Sequence, residues 1–255
     1  MSALAHTRFR QRLLARERLI GTFLKTPTGH AAEMFGSLGF DFVVVDQEHA
    51  PFDRISTDAA LLAARAGDIA ALVRVPGPDA ILSVLDCGAT GVLIPHVSSA
   101  AMAREVAALC RYRKGSRGFA ATTRAGGYGA VPMWQHIEAA DAATTVVAQI
   151  EDPVALEEID AIAAVEGIDC LFIGRGDLTA GYGDPSPNAP AVRAAVERIC
   201  EAGRRANKPV SVFVGSVKEA AWLNDLGATA FIHGSDHGFM RQAAVAAAAE
   251  LRQMA

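Results

Sequence analysis

The chain is 255 residues long, 51% apolar and 20% charged, with a formal net charge of −4, which suffices to bury one large core and suits a single domain over residues 1–255. Mild acidity without a Lys/Arg block or basic tail argues against nucleic acid and anionic membrane surfaces as partners. No run of about 18 uncharged apolar residues offers a membrane span, and the arginine-studded start lacks the apolar core of a secretory signal, so the expected location is the cytoplasm.

Residues 7–18 read as a short basic helix leading to a first strand over Ile20–Leu24, in which Gly21 permits close packing or approach of a ligand. Thr28 is the expected cap of a helix that turns Ala31, Met34, Phe35 and Leu38 toward the core and stops at Gly39. The run Phe42-Val43-Val44-Val45 has the unbroken apolar pattern of a strand buried on both faces, and it ends abruptly in Asp46-Gln47-Glu48-His49 before Ala50-Pro51. A helix over 56–66 precedes strand 69–74, which terminates in Arg74. Pro76-Gly77-Pro78 then turns into a helix over 79–86, and strand 91–94 runs into Pro95-His96. Ser98 or Ser99 opens the next helix. After it, Arg111 to Gly129 is an irregular stretch carrying Arg111, Arg113, Lys114, Arg117 and Arg124, of the kind compact domains reserve for binding.

A helix over 133–142 restores the alternation. Strand 145–150 ends at Gln149 and Glu151, with Asp152-Pro153 as cap and first residue of the following helix. Strand 169–173 enters the turn Gly174-Arg175-Gly176-Asp177, and a loop over 184–190 precedes a long helix over 191–206. Strand 209–214 is followed by Ser216 and Glu219 at capping-box spacing. Strand 229–232 then leads through the turn His233-Gly234-Ser235-Asp236 into an alanine-rich helix ending near residue 253. Eight strands alternating with helices predict an α/β fold of the (β/α)8 TIM-barrel type, for which about 250 residues is usual. A doubly wound sheet is the alternative, but no Gly-x-Gly-x-x-Gly follows the first strand. Cys87, Cys110, Cys170 and Cys200 are widely spaced in apolar contexts and read as reduced thiols.

In such a barrel the strand ends bring Asp46, Glu48, His49, Arg74, Gln149, Glu151 and Asp177 around one mouth. Glu151 and Asp177 are hard oxygen ligands on neighbouring strand ends, suited to Mg²⁺ or Mn²⁺, which would also relieve their mutual repulsion. The plainer alternative is two carboxylates facing helix N-termini. His49 is placed to act as a general base, its ring oriented by Asp46. Arg74 offers a planar fork for a substrate carboxylate, or else pairs with Glu48 or another acid. Gln149 holds a carboxylate oxygen or a water, or simply caps a strand end. Gly174 and Gly176 leave backbone N–H groups free to cradle a carboxylate. His96 and His233 are second-tier candidates for the mouth, and Arg117 and Arg124 either close over an anionic substrate or are solvated loop charges.

Gly39-Phe40-Asp41 through Asp46-x-Glu48-His49-Ala50-Pro51, Val73-Arg74-Val75, Arg117-Gly118, Gln149-Ile150-Glu151, Phe172-Ile173-Gly174 and Asp177-Leu178 carry a resemblance to a known family. From about Ile20 to the final helix the chain resembles the class II, metal-dependent pyruvate aldolases of the 2-dehydro-3-deoxyglucarate and 4-hydroxy-2-oxo-heptanedioate type. The resemblance implies a TIM barrel that cleaves a 4-hydroxy-2-oxo acid reversibly to pyruvate, or hydroxypyruvate, and a small aldehyde through an enolate stabilised by Mg²⁺, Mn²⁺ or Co²⁺. It implies His49 and Asp46 as base dyad, Arg74 as the pyruvate arginine, and Glu151 and Asp177 as metal ligands. Gln149 is implied beside the pyruvate, and Gly174, Arg175 and Gly176 in the turn whose backbone meets its carboxylate. A homo-oligomer, a hexamer built from dimers that exchange the C-terminal helix, is implied as well. Departures are Gly174-Arg175-Gly176-Asp177 where many relatives have Gly-Pro-x-Asp, the basic run Arg111–Gly115, and His233-Gly234-Ser235 before Asp236. These bear on the aldehyde more than on the chemistry. The alternative activity is another carbon–carbon lyase or synthase using an oxaloacetate-derived enolate.

Overall fold

A computed structural model describes residues 5–253 of the protein. Strands β1 (Leu19–Leu24), β2 (Phe42–Asp46), β3 (Ala70–Arg74), β4 (Gly91–Ile94), β5 (Thr145–Ile150), β6 (Cys170–Ile173), β7 (Val210–Val214) and β8 (Ala228–Ser235) pair in parallel, in sequence order, and close into a barrel. The eight parallel strands and their surrounding helices are the expected (β/α)8 architecture. The helices are α1 (Ala5–Leu14), α2 (His30–Ser37), α3 (Arg54–Ala66), α4 (Ile81–Asp86), α5 (Ala100–Leu109), α6 (Met133–Ala143), α7 (Ile159–Ala163), α8 (Arg175–Tyr182), α9 (Pro190–Arg205), α10 (Val217–Asp225) and α11 (Asp236–Arg252).

Alternate strand residues divide the core in two. Val43, Val45, Val73, Val92 and their neighbours pack outward against the helices, whereas Phe23, Phe42, Val44, Leu72, Leu93 and Phe172 fill the barrel. Gly21 belongs to this filling, because a Cβ there would collide with the Phe42 ring. Phe9 and Leu13 of α1 join the interior cluster and stop the barrel at the end opposite the mouth. Next to them the buried Asp169 carboxylate accepts from Arg10 (2.7 Å), Arg111 (3.2 Å) and the Val146 amide (2.9 Å), tying α1 and the segment after α5 to β5.

Several local expectations are corrected. Gly29, not Thr28, is the N-cap of α2, and the Thr28 hydroxyl lies 2.7 Å from the His30 ring instead. That helix turns Ala32 and Phe35 inward and leaves Met34 and Leu38 exposed. Asp152 does not cap its helix; residues 153–157 form a 3-10 turn, and the Asp152 carboxylate faces His96 at 3.2 Å. Ser216 caps α10, but Glu219 reaches the Gly215 amide rather than completing the box. In the 111–129 segment, Arg117 bonds Asp86 and stacks 4.4 Å from the Tyr112 ring, while Arg124 bonds Asp58. Both arginines are used on the outer helices. β8 continues through Ser235 where a turn is expected, with Gly234 at φ 65°.

Among the described residues, no helix is long and apolar enough to cross a membrane.

Leu13→Ala removes a fully buried plug side chain, so a loss of about 2–5 kcal/mol in urea-monitored stability is expected, as for other buried leucines. A loss below 1 kcal/mol would show that the barrel end closes without it.

Candidate active site

The strand register builds the site before any loop contributes. Asp46 and Arg74 are the last residues of β2 and β3 and stand directly opposite one another in the ladder. The Asp46 carboxylate is fully buried. It accepts two bonds from Arg74, from Nε at 2.9 Å and Nη2 at 2.8 Å, one from Lys25 Nζ at 2.6 Å and one from the His49 backbone at 3.2 Å. Burial alone raises the Asp46 pKa, but the bonds from Arg74 and Lys25 overcome it and hold the carboxyl down at about 2. Arg74 also approaches Glu48 at 3.3 Å and lies 4.8 Å from the Phe23 ring centre.

The expected orientation of the His49 ring by Asp46 is not found. Two cations and one amide occupy the carboxylate, and the exposed ring lies beside Glu48, with Nε2 3.7 Å from Oε2. Charge-assisted bonds to Arg74 and Lys25 are the stronger competitors for Asp46.

Across the mouth, Glu151 is buried just past β5. Burial pushes its carboxyl up to about 7. Asp177 adds to the rise, against hydrogen bonds from the Gln149 side chain and the His96 backbone. The Gln149 amide donates to Oε2 and the His96 N–H to Oε1, the latter at 2.8 Å. Gly174 has no side chain because a Cβ there would come within 2.8 Å of Glu151 Oε2. His96 adopts φ 54°, a left-handed conformation that costs a histidine about 1–3 kcal/mol. The strain presents both its N–H and its ring to Glu151, with Nδ1 3.3 Å from Oε1. Burial draws the imidazole pKa down, but Glu151, Asp152 and Glu48 outweigh it and leave it raised.

Glu48, His96 and Glu151 each offer a ligand atom within 4.8 Å of the others. Gln149 Oε1 is buried without a hydrogen-bond partner, and Glu48 Oε2 is buried with the 3.3 Å ion pair to Arg74 Nη1 in place of a hydrogen bond. An orphaned oxygen and a carboxylate that burial strains fit a hard divalent cation. Asp177 lies in the first turn of α8, exposed and outside this three-residue group, though its charge acts on Glu151. Gly176 is exposed next to it, while Arg175 is buried and bonds Glu219 at 2.6 Å. A cavity of about 450 Å³ joins Arg74 and Gln149 to the Gly174–Asp177 turn.

Residues 19–243 match the family model described as HpcH/HpaI aldolase/citrate lyase. The chain belongs to the HpcH/HpaI aldolase/citrate lyase family. It is 34% identical over 240 residues to a 5-keto-4-deoxy-D-glucarate aldolase of Enterobacter sp. (strain 638), covering 92% of this chain and 93% of the relative. It is 34% identical over 245 residues to a pyruvate aldolase of Rhizobium etli, covering 94% and 96%. The crystal structure of an HpcH/HpaI aldolase/citrate lyase family protein from Burkholderia cenocepacia J2315 superposes with a TM-score of 0.91 at 30% identity, covering 97% of this chain and all of that one. The protein is therefore a lyase of the HpcH/HpaI type.

One group near the mouth, Lys25, escapes the sequence reading in its contact with Asp46. Lys25 follows β1, and its backbone and that of Thr26 donate to the Asp236 carboxylate, both at 2.8 Å. That pair of bonds sets the lysine over Asp46. His96 is central rather than second-tier. His233 does not face the mouth; its Nδ1 lies 2.9 Å from the Val214 carbonyl and its ring lines an outer groove.

The Asp46 pairing predicts a pH signature. A carboxyl lowered to about 2 in the native state, against about 3.9 when unfolded, contributes stability that is complete above the unfolded value and is lost as pH falls through the native one. Asp46→Asn is expected to be less stable than wild type at pH 7, with the gap narrowing below about pH 4. Chemical denaturation at pH 7, 5 and 3 checks this, and a gap unchanged at pH 3 rules the pairing out as a source of stability.

Proposed function

We propose that this lyase cleaves a 4-hydroxy-2-oxo acid reversibly to pyruvate, or hydroxypyruvate, and an aldehyde. The observation that carries the reading is one cavity that joins the in-register Arg74 to Asp177 and to Gln149, the partner of the buried Glu151 carboxylate, within a family whose named relatives here are aldolases. Arg74, fixed along its Nε–Nη2 edge by Asp46, binds the 2-oxo acid end and favours the charge that gathers on the enolate. His49 takes the proton from the C4 hydroxyl as the C3–C4 bond breaks. The bonding pair passes to the enolate and the aldehyde carbonyl forms; C3 is then protonated. Asp46 acts by positioning Arg74 and Lys25. Gln149 orients Glu151, and the backbone of Gly174, Arg175 and Gly176 meets the substrate carboxylate.

Glu151 and Asp177 are proposed to hold a divalent cation, Mg²⁺ or Mn²⁺, with Co²⁺ a substitute. When bound, it supplies Lewis-acid stabilisation of negative charge on the substrate oxygen. A second ligand set, Glu48, His96 and Glu151, is favoured by their close approach. The description of the family also spans citrate lyases, which supports the alternative of an oxaloacetate-derived enolate; product analysis with paired donors separates the two reactions. The cytoplasm is the proposed location.

Reciprocal exchange of α11 between subunits is proposed as the assembly unit, within a hexamer. Ile20 of the outer barrel wall is 45% exposed. It lines a groove of about 470 Å³ with Val217, Phe231 and His233, where a barrel helix belongs. Met240, Val245 and Leu251 of α11 are exposed as well.

Glu151→Gln is expected to weaken Mn²⁺ binding, measured by titration, by more than the roughly 10–100-fold that loss of an outer partner brings, and EDTA to stop pyruvate release until metal is restored. Loss of binding in Asp177→Asn but not in His96→Ala selects the first ligand set, and the reverse selects the second. Ile20→Glu lowers the mass seen by light scattering; an unchanged oligomer would remove the exchange reading.

A further inference from the structure

Lys25 is held at both ends. Its backbone N–H and that of Thr26 donate to the Asp236 carboxylate, each at 2.8 Å, and its Nζ donates to Asp46 Oδ2 at 2.6 Å. An ammonium carries three N–H groups, and that bond uses one of them. The Lys25 side chain is 27% exposed where the Asp46 side chain is fully buried, which leaves the other hydrogens for a ligand or water. A rotamer-rich side chain fixed in this way meets a developing charge without first being ordered.

Its place at the mouth follows from Arg74. Both cations bond Asp46 Oδ2, and both approach the Phe23 ring that lines the cavity, Arg74 at 4.8 Å from the ring centre and the Lys25 ammonium at 5.9 Å. Arg74 Nη1 is drawn toward Glu48 at 3.3 Å. Arg74 and Lys25 thus balance Asp46 and Glu48, and a cluster without net charge does not repel new negative charge beside it. In the closed ring from β1 to β8, the ends of β1 and β2 stand across the mouth from those of β5 and β6. A substrate whose carboxylate meets the Gly174–Gly176 backbone after β6 therefore extends its other end toward Lys25 and His49. These two flank one carboxylate, the His49 amide on Asp46 Oδ1 and the lysine on Oδ2.

We propose that Lys25 is a further catalytic residue, whose ammonium donates a hydrogen bond to the C4 oxygen of the substrate. This role rests on the aldol reading. In cleavage His49 takes the C4 hydroxyl proton, the C3–C4 pair moves into the enolate and the C4 carbonyl forms. Lys25 keeps its own protons and stabilises the negative charge that builds on the oxygen as its proton leaves. In the addition direction the same bond polarises the aldehyde carbonyl. Enolate formation from pyruvate alone involves no C4 oxygen and does not draw on the bond. Asp236 is then a positioning residue for the lysine.

The test reads two reactions of the Mg²⁺-loaded protein: cleavage of 4-hydroxy-2-oxopentanoate to pyruvate and acetaldehyde, and exchange of the pyruvate C3 hydrogens in deuterium oxide, followed by mass spectrometry. Lys25→Met is expected to lower kcat for cleavage on the order of 100-fold, the scale of one oxyanion donor, with a loss in exchange at least about tenfold smaller. Lys25→Gln, whose amide still reaches Asp46, is expected to show the same split and keeps the comparison open should the Met variant fail to fold. Lys25→Arg is expected to recover part of the cleavage. Equal losses in the two reactions would mean that Lys25 serves only Asp46 and Arg74, and they overturn the proposal. Cleavage that survives in the Met or Gln variant overturns it too, as does an Arg variant that thermal melting shows folded yet cleaves no better than Met. Wild type that cleaves nothing removes the aldol reading and this role with it, whereas equal losses from an active wild type remove this role alone.

Discussion

A carboxylate with no access to water is costly unless cations and hydrogen bonds replace its hydration shell, and Asp46 is such a group. Its replacement shell is supplied by fold geometry. The β2–β3 register sets Arg74 directly opposite, the end of β1 supplies Lys25, and the turn after β2 supplies the His49 amide. Once Arg74 is fixed along its Nε–Nη2 edge, Nη1 is the part left toward Glu48 and the cavity. The position of the arginine is thus a by-product of solving a desolvation problem in the barrel wall. A lysine at position 74 would lack the fork to solve it.

The far side of the mouth is built the opposite way. Glu151 is buried among an amide, a backbone N–H and an imidazole, with no arginine or lysine bonded to it. Its pKa rises where that of Asp46 falls, although both are buried strand-end acids. The contrast is one of partners rather than burial. A mouth with one side charge-satisfied and the other short of positive charge is polarised across the cavity, and the deficient side contains the unpartnered Gln149 Oε1.

The eight strands and the cluster of polar strand ends were legible because unbroken β-branched runs that end in charge have few other readings. Which partner each charge takes was not. Asp46 stands three residues from His49 and twenty-eight from Arg74 in the sequence, yet the ladder brings the arginine adjacent and turns the imidazole away. Lys25, between a strand and Thr-Pro-Thr, has the look of a surface lysine until Asp236, over two hundred residues later, is seen to pin its backbone. Met34 and Leu38 share helical spacing with Phe35, but α2 approaches α3 closely at Gly29 and turns Phe35 onto Phe40 and Phe239, and periodicity does not say which side of an apolar arc meets a neighbour.

Asp236 joins two features that otherwise look independent. It is the first residue of α11, and its two oxygens accept from the backbone of Lys25 and Thr26. Lys25 in turn is one of the two cations that keep Asp46 charged. The angle at which α11 departs is therefore coupled through one carboxylate to the loop that carries a site lysine. Asp236 is buried, and three residues later the Phe239 ring packs against Phe35 and Phe40, so the first turn of α11 is tied both to the loop of the site lysine and to α2.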